Sequence, residues 1–311
     1  MNVIRNILVI VDPTVAEHPA VAKAGLLAER FDARLTLFAC ETQASRETRL
    51  TAHLSRDAGK PFVVDLKSML EALAAPQRAR GIDVATETDT GDPLHDVLLD
   101  RVKRTTADLV VKDTHHHTLA QRTFLTNTDW HLIRACTVPL LLVKPGSWAA
   151  APRVLAAVDP GHANDKPAAL DHWILQQASA FAKKLHGEVQ VVHAYIPTAI
   201  AIAAAGVPPM VASIGVEEIA REEEARRKEI AALVSDYGVR VGGIHVVTGG
   251  PVQVLPRVAA DLRADIVVLG AISRRGLKRV FIGSTAEDVL EKLPCDALIV
   301  KTPNFAEVLP F

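Results

Sequence analysis

Aromatic residues are scarce in this 311-residue chain: Phe, Trp and Tyr together make up 4% of it, with only two tyrosines. The core must therefore be built from Ala, Val, Leu and Ile. Cysteine is scarce as well. Cys40, Cys136 and Cys295 lie far apart and form no CxxC pair, which argues against a disulfide scaffold or a structural zinc site and suits a reducing cytosol. There is no excess of either charge: 35 basic residues face 36 acidic ones, for a formal charge of -1. A chain this neutral is not, as a whole, an electrostatic binder of nucleic acid or of an anionic membrane.

Long hydrophobic runs are missing too. The longest weakly polar stretch, Ile196 to Val216, is mostly Ala and is interrupted by Gly206 and Pro208-Pro209, so it makes a poor membrane span. Met1 leads almost directly into the strand-like run Ile7 to Val11, and no signal peptide is expected. No GxxxxGK[ST], no GxGxxG after a strand, no GxSxG elbow and no kinase signature occurs. No nucleophile, base and orienting residue can be assembled from either half, so a dedicated enzyme is not expected. These absences lead to a cytoplasmic protein with neither nucleic acid nor membrane as partner.

What the chain does contain is 49% hydrophobic and 23% charged residues, the balance of an ordinary globular protein, at a length that suggests two domains. An internal repeat makes the division explicit. Ile7-Leu-Val-Ile-Val-Asp12-Pro13 returns as Val154-Leu-Ala-Ala-Val-Asp159-Pro160, and Ala107-Asp-Leu-Val-Val111 returns as Ala264-Asp-Ile-Val-Val268. The segment Phe124 to Lys144 aligns without gaps on Phe281 to Lys301. The Gly/Ser/Ala/Pro stretch from Pro145 to Pro152 reads as a linker. Domains over 1–146 and 152–311 follow.

Short Val/Ile/Leu runs alternate with stretches of helical period. Strands are expected at about 6–12, 33–39, 82–86, 107–112 and 138–143, and again at 153–159, 188–194, 239–247, 264–270 and 296–301. Helices are expected at 166–186 and 216–237, the latter turning Ile219, Ile230, Leu233 and Val234 to one side. Unalternated apolar strands suit a parallel sheet buried on both faces, and strand–helix alternation suits a doubly wound α/β unit. Each half is thus expected to be a five-stranded, Rossmann-like parallel domain. Ligands of such sheets sit beyond the carboxyl ends of the strands, where the strand order reverses. Asp12, Asp159 and the residues after Val111 and Val268 belong on that edge.

The second copy follows its fourth strand with Leu269-Gly270, then Ser273, Arg274, Arg275, Lys278 and Arg279, and ends in Gly283-Ser284-Thr285 at the start of a helix. Glycines at a strand end let backbone approach a ligand closely, and a helix start offers free N–H groups to an anion. The first copy holds Asp113, His116, Thr126 and Asn127 at the corresponding positions. An acidic Asp113 would repel phosphate. Structural readings stand beside these: Ser284-Thr-Ala-Glu287 is a capping box, aspartates before proline close turns, and a cationic segment can be a solvated loop. His115-His116-His117, with Asp113, Asp129 and His131 nearby, suggests a metal, but alternate residues of an extended segment point apart and at most His115 and His117 share a face.

These residues resemble the universal stress protein family, whose nucleotide-binding members carry Gly-x2-Gly-x9-Gly-Ser/Thr together with an Asp ending the first strand. Gly270, Gly283, Ser284 and Asp159 match, while Ser273 stands where the middle glycine belongs, a change that weakens the site without abolishing it. The tandem arrangement and Thr128-Asp-Trp-His131 look most like the two-domain, E-type branch. The resemblance implies an adenine nucleotide alpha hydrolase-like fold, two halves paired as an internal pseudo-dimer through their last strands, and a stress-response binding or signalling module, with a homodimer and protein partners open to it. It implies ATP in the second domain, with Mg²⁺ and at most slow hydrolysis. Asp159 would face the adenine or ribose, and the backbone around His193 and Ala194 would border the base. Leu269, Gly270, Ser273, Gly283, Ser284 and Thr285 would follow ribose and phosphates. Two alternatives remain on the same fold: a scaffold for proteins that needs no nucleotide, and a binder of a hydrophobic small molecule. The latter is suggested by the apolar stretch from Tyr195 to Val216, expected to turn Ile200, Ile202, Val207 and Met210 inward, either as a lid over one half or buried between the halves, with an extra helical turn packed on its own domain as the plain structural alternative.

Overall fold

The computed structural model describes residues 4–43, 65–116, 123–160, 169–198, 200, 216–239, 243–271 and 284–302. The chain divides into two units, Met1–Ser147 and Trp148–Phe311.

In the first unit the described elements are β1 (Asn6–Ile10), α1 (Pro19–Phe31), β2 (Arg34–Glu41), α2 (Leu66–Ala79), β3 (Val84–Thr90), α3 (Leu94–Arg104) and β4 (Leu109–Asp113). A two-residue ladder of β5 (His115–His116) and β6 (Thr123–Phe124), α4 (Asn127–Ala135) and β7 (Leu140–Val143) complete it. The main strands pair in parallel in the order β3-β2-β1-β4-β7. Because β1 lies between β2 and β4, the strand order reverses beside it, and the cleft expected of such a sheet falls at the carboxyl ends of β1 and β4. Right-handed crossovers put the helices after β1 and β2 on one face and those after β3 and β4 on the other, and α3 accordingly packs on α4.

The second unit repeats the plan with β8 (Arg153–Ala157), α5 (Leu170–Lys184), β9 (Glu188–Tyr195), α6 (Val216–Val234), a 3-10 turn (Ser235–Tyr237), β10 (Ile244–Thr248), α7 (Pro251–Asp261), β11 (Ile266–Gly270), α8 (Ser284–Lys292) and β12 (Asp296–Val300). Its parallel order is β10-β9-β8-β11-β12. Each unit is therefore the doubly wound, five-stranded α/β sheet that the sequence pattern indicated.

The repeated Ala-Asp pair has a mechanical role. Asp108 accepts the backbone N–H groups of Arg5 and Asn6 at 2.8 and 2.9 Å, and Asp265 accepts those of Ala149 and Arg153, both at 2.9 Å. Each aspartate thus ties the entry of its unit's first strand to the fourth strand. The cores are aliphatic, as the shortage of aromatics requires: Ile7, Leu8, Val9, Leu35, Leu109, Val110 and Val111 are buried in one unit, and Val154, Leu155, Ala156, Ile266, Val267 and Val268 in the other.

Two expectations need adjustment. β3 extends to Thr90 instead of ending near 86. Its far end alternates Thr with Glu87 and Asp89, which both bind Arg101 of α3, so polar pairing carries this edge strand beyond its apolar run. In α6, Ile230 and Val234 are buried, whereas Ile219 and Leu233 are only half-buried.

Candidate functional site

At the carboxyl edge of the first unit, charge is compensated from within. Asp113, in the position of Gly270, is buried and accepts the N–H of Ala20 in the first turn of α1 at 2.7 Å. The preceding Lys112 has 6% of its side chain exposed; its Nζ lies 2.8 Å from Asp129 Oδ1 and donates to the Asp113 carbonyl at 3.0 Å. Asp129 is fully buried. Through a capping box it also accepts from the Thr126 backbone N–H and hydroxyl at 2.7 and 2.9 Å, while the Thr126 oxygen accepts from Asp129 N–H. The amino end of α4 is thus capped by the chain's own carboxylate. Asp12, at the end of β1, accepts from the Thr14 N–H and hydroxyl at 2.8 and 2.6 Å, closing the turn that its proline context suggested.

In the second unit the same positions are differently filled. Lys112 corresponds to Leu269 and Asp129 to Ala286, so neither member of the buried pair is present. β4 is sealed along its whole length, whereas Leu269 and Gly270 at the end of β11 are half-exposed. α8 is described from Ser284 onward, with Glu287 in its first turn. Ser284 and Thr285 open that helix; Ser273 and Gly283, with the cationic segment between them, lie outside the described residues.

Asp159 continues from β8. Its N–H donates to the buried carboxylate of Asp171 on α5 at 3.1 Å, and its own carboxylate, 42% exposed, lies 3.7 Å from His193 Nδ1. His193, near the end of β9, is buried, with Nδ1 3.1 Å from the Val158 carbonyl. Burial lowers its pKa below the ordinary histidine value, a shift that the Val158 hydrogen bond and Asp159 partly oppose. Ala194 follows, half-buried. Asp159, His193, Ala194, Leu269 and Gly270 therefore share one sheet edge, at the point where the strand order reverses.

The match to known proteins follows the same boundaries. A family model described as the universal stress protein family matches residues 4–144 and again 151–301. The chain belongs to the universal stress protein family. Universal stress protein E of Salmonella typhi is 30% identical over 308 residues, covering 98% of this chain and 96% of the relative, and that of Escherichia coli K12 is 29% identical with the same coverage. Among solved structures, a functionally unknown protein from Pseudomonas aeruginosa PAO1 superposes with a TM-score of 0.76 at 26% identity, covering 98% of this chain and 95% of its own. A universal stress protein from Archaeoglobus fulgidus shares the fold at a TM-score of 0.66 and 15% identity, with 95% and 98% covered.

The remaining features of this universal stress protein fall into place or out of the site. Gly270 has a packing reason of its own: a Cβ there would sit 2.7 Å from Leu170 Cδ2 and 3.1 Å from Ile174 Cδ1, so the glycine admits α5 against β11. Of the histidine run, His115 and His116 pair with Phe124 and Thr123 across a short antiparallel ladder, and His117 lies outside the described residues. Among the described residues no group of three or more His, Cys, Asp or Glu side chains is arranged to hold a metal. Cys40 and Cys136 are buried, as small apolar side chains would be. Ile200, expected to point inward, is 48% exposed, as Ile196 is at 55%, because the chain turns at Pro197 directly after leaving β9. Ile202, Val207 and Met210 lie outside the described residues. Among the described residues no helix is long and apolar enough to cross a membrane.

Sequence reasoning missed Lys112, Asp171 and Tyr195. The signal for Lys112 was available in the repeat alignment, where a lysine inside a strand of valines faces a leucine in the other copy. Asp129 was noticed only as a neighbour of histidines and as part of Thr128-Asp-Trp-His131.

Proposed function

We propose that this protein is a stress-response binding module that takes one adenine nucleotide, ATP, at the edge of its second unit and none in its first. The observation carrying this reading is the contrast between the buried Lys112–Asp129 pair and its counterpart, Leu269 and Ala286. A helix start already neutralised by a fully buried carboxylate has no need of phosphate, whereas the start of α8 has Gly283, Ser284 and Thr285 in sequence, Ala286 in place of Asp129, and only the half-buried Glu287 as an acidic residue in its first turn. Asp159 and the backbone at His193 and Ala194 would hold the adenosine. Leu269, Gly270, Ser273, Gly283, Ser284 and Thr285 would follow the ribose and phosphates, with Mg²⁺ on the triphosphate. No residue at this edge is assigned as a base for an attacking water, so the role is binding and signalling, with at most slow hydrolysis, in the cytoplasm.

One observation favours a second reading, a scaffold for protein partners that needs no nucleotide: Gly270 is required by the packing of α5 whether or not a ligand is present. Native mass spectrometry of the freshly purified protein separates the two. A nucleotide adduct of one per chain supports the first reading, and a bare chain that gains no mass with ATP and Mg²⁺ supports the second.

A further inference from the structure

The second unit holds two buried polar atoms that the described residues leave without a hydrogen-bond partner, His193 Nε2 and the Tyr195 hydroxyl. The two side chains leave β9 on the same face, two residues apart. They are 3% and 7% exposed, and their rings lie parallel to within 7° with centroids 6.1 Å apart. The tautomer of His193 follows from its other nitrogen. Nδ1 lies 3.1 Å from the Val158 carbonyl, which can only accept, so Nδ1 carries the proton and Nε2 presents a bare lone pair. The imidazole is therefore a fixed acceptor, and the phenol beside it is free to donate. Buried polar atoms without partners are costly, and native structures rarely leave them unmatched. Asp159, at the mouth of the proposed nucleotide edge, is 3.7 Å from the same ring.

We propose that the side chains of His193 and Tyr195 select which edge of the base the second unit accepts, the imidazole receiving an amino N–H and the phenol donating to an adjacent acceptor nitrogen. The inference rests on the nucleotide reading above, which uses only the backbone at 193 and 194, and extends it to the side chains. An aminopurine edge offers this donor beside an acceptor. A 6-oxopurine sets an oxygen lone pair against the lone pair of Nε2, and the Val158 carbonyl prevents the ring from exchanging its tautomer to suit it. Selectivity arises here because a buried polar group left facing the wrong partner penalises the wrong ligand.

The test is calorimetric titration of the full chain with ATP and with inosine triphosphate, on the unaltered protein and on Tyr195→Phe, which removes one oxygen and keeps the ring. ATP is expected to bind at least about tenfold more tightly than inosine triphosphate, and Tyr195→Phe to lose about five- to tenfold in ATP affinity, the range of one hydrogen bond. In nitrogen-15 spectra the His193 Nε2 resonance should move on adding ATP. Equal affinities for the two nucleotides, an unaffected Tyr195→Phe variant and an unmoved Nε2 signal would overturn the selectivity while leaving the nucleotide reading intact. Absence of any nucleotide binding by the unaltered protein would overturn both.

Discussion

Lys112 and Asp129 place opposite charges inside the first unit with almost no contact with water, at 6% and 0% exposure of their side chains. Such a pair adds little net stability relative to well-packed apolar residues, yet removing one partner strands the other. Lys112→Leu and Asp129→Ala should therefore each cost roughly 3–5 kcal/mol in chemical denaturation. The double variant, which installs the residues that the second unit carries at these positions, should cost less than either single change. A double variant as unstable as the sum of the two would show that the charges act independently.

Histidine protonation provides a separate check at the residue scale. His18, His131, His193 and His245 all have pKa values lowered from 6.5, in each case chiefly by burial. The unfolded chain binds protons at these sites below about 6.5, whereas the folded chain resists them until lower pH, so their contribution to stability is complete above 6.5 and is lost as pH falls below it. Glu71 works in a lower window. Hydrogen bonds from Arg78 and Thr86 hold its pKa at about 2 against an ordinary 4.5, so its contribution starts to fade only below 4.5. The urea midpoint should decline between pH 7 and pH 5, before Glu71 contributes to the loss. A midpoint flat over that interval would contradict the lowered pKa values of these histidines.

At the scale of elements, the contact of α5 with β11 decides what Gly270 is for. Adding a methyl group there drives it against Leu170 and Ile174, and Gly270→Ala should cost about 1–3 kcal/mol of stability without any ligand present. Leu170→Ala in the same chain should recover part of that loss. If Gly270→Ala left stability unchanged but weakened ATP binding, the glycine would serve the ligand rather than the helix. Most elements were legible in the sequence because strands buried on both faces must be continuous in Val, Ile and Leu, as Leu109 to Val111 and Ile266 to Val268 are. The end of β3 was not, because Glu87 and Asp89 hold an edge strand by pairing with Arg101, which apolar runs do not reveal. At the carboxyl edge, Asp159 and Gly270 were legible from strand ends and the repeat, whereas His193 came only from the family resemblance. The tautomer of His193 and the burial of Tyr195 were not, since both depend on what the fold packs around β9.

Across the whole molecule, one fold is used twice with opposite treatment of the same edge. In the first unit Asp113 binds the start of α1 and the Lys112–Asp129 pair closes the start of α4. In the second, the end of β11 stays half-exposed, and Leu269 and Ala286 stand where Lys112 and Asp129 form the buried pair. Both copies keep the devices that hold each sheet together, such as Asp108 and Asp265, and differ in the residues at the carboxyl edge. The central claim is therefore a count, one nucleotide per chain, carried by residues 153–311. Isothermal titration of the full chain with ATP and Mg²⁺ measures that count directly. A stoichiometry of one, retained when Thr126 is replaced and lost when Gly283 is replaced by a bulky residue, is the predicted result; two equivalent sites, or binding that survives the Gly283 replacement, would contradict it.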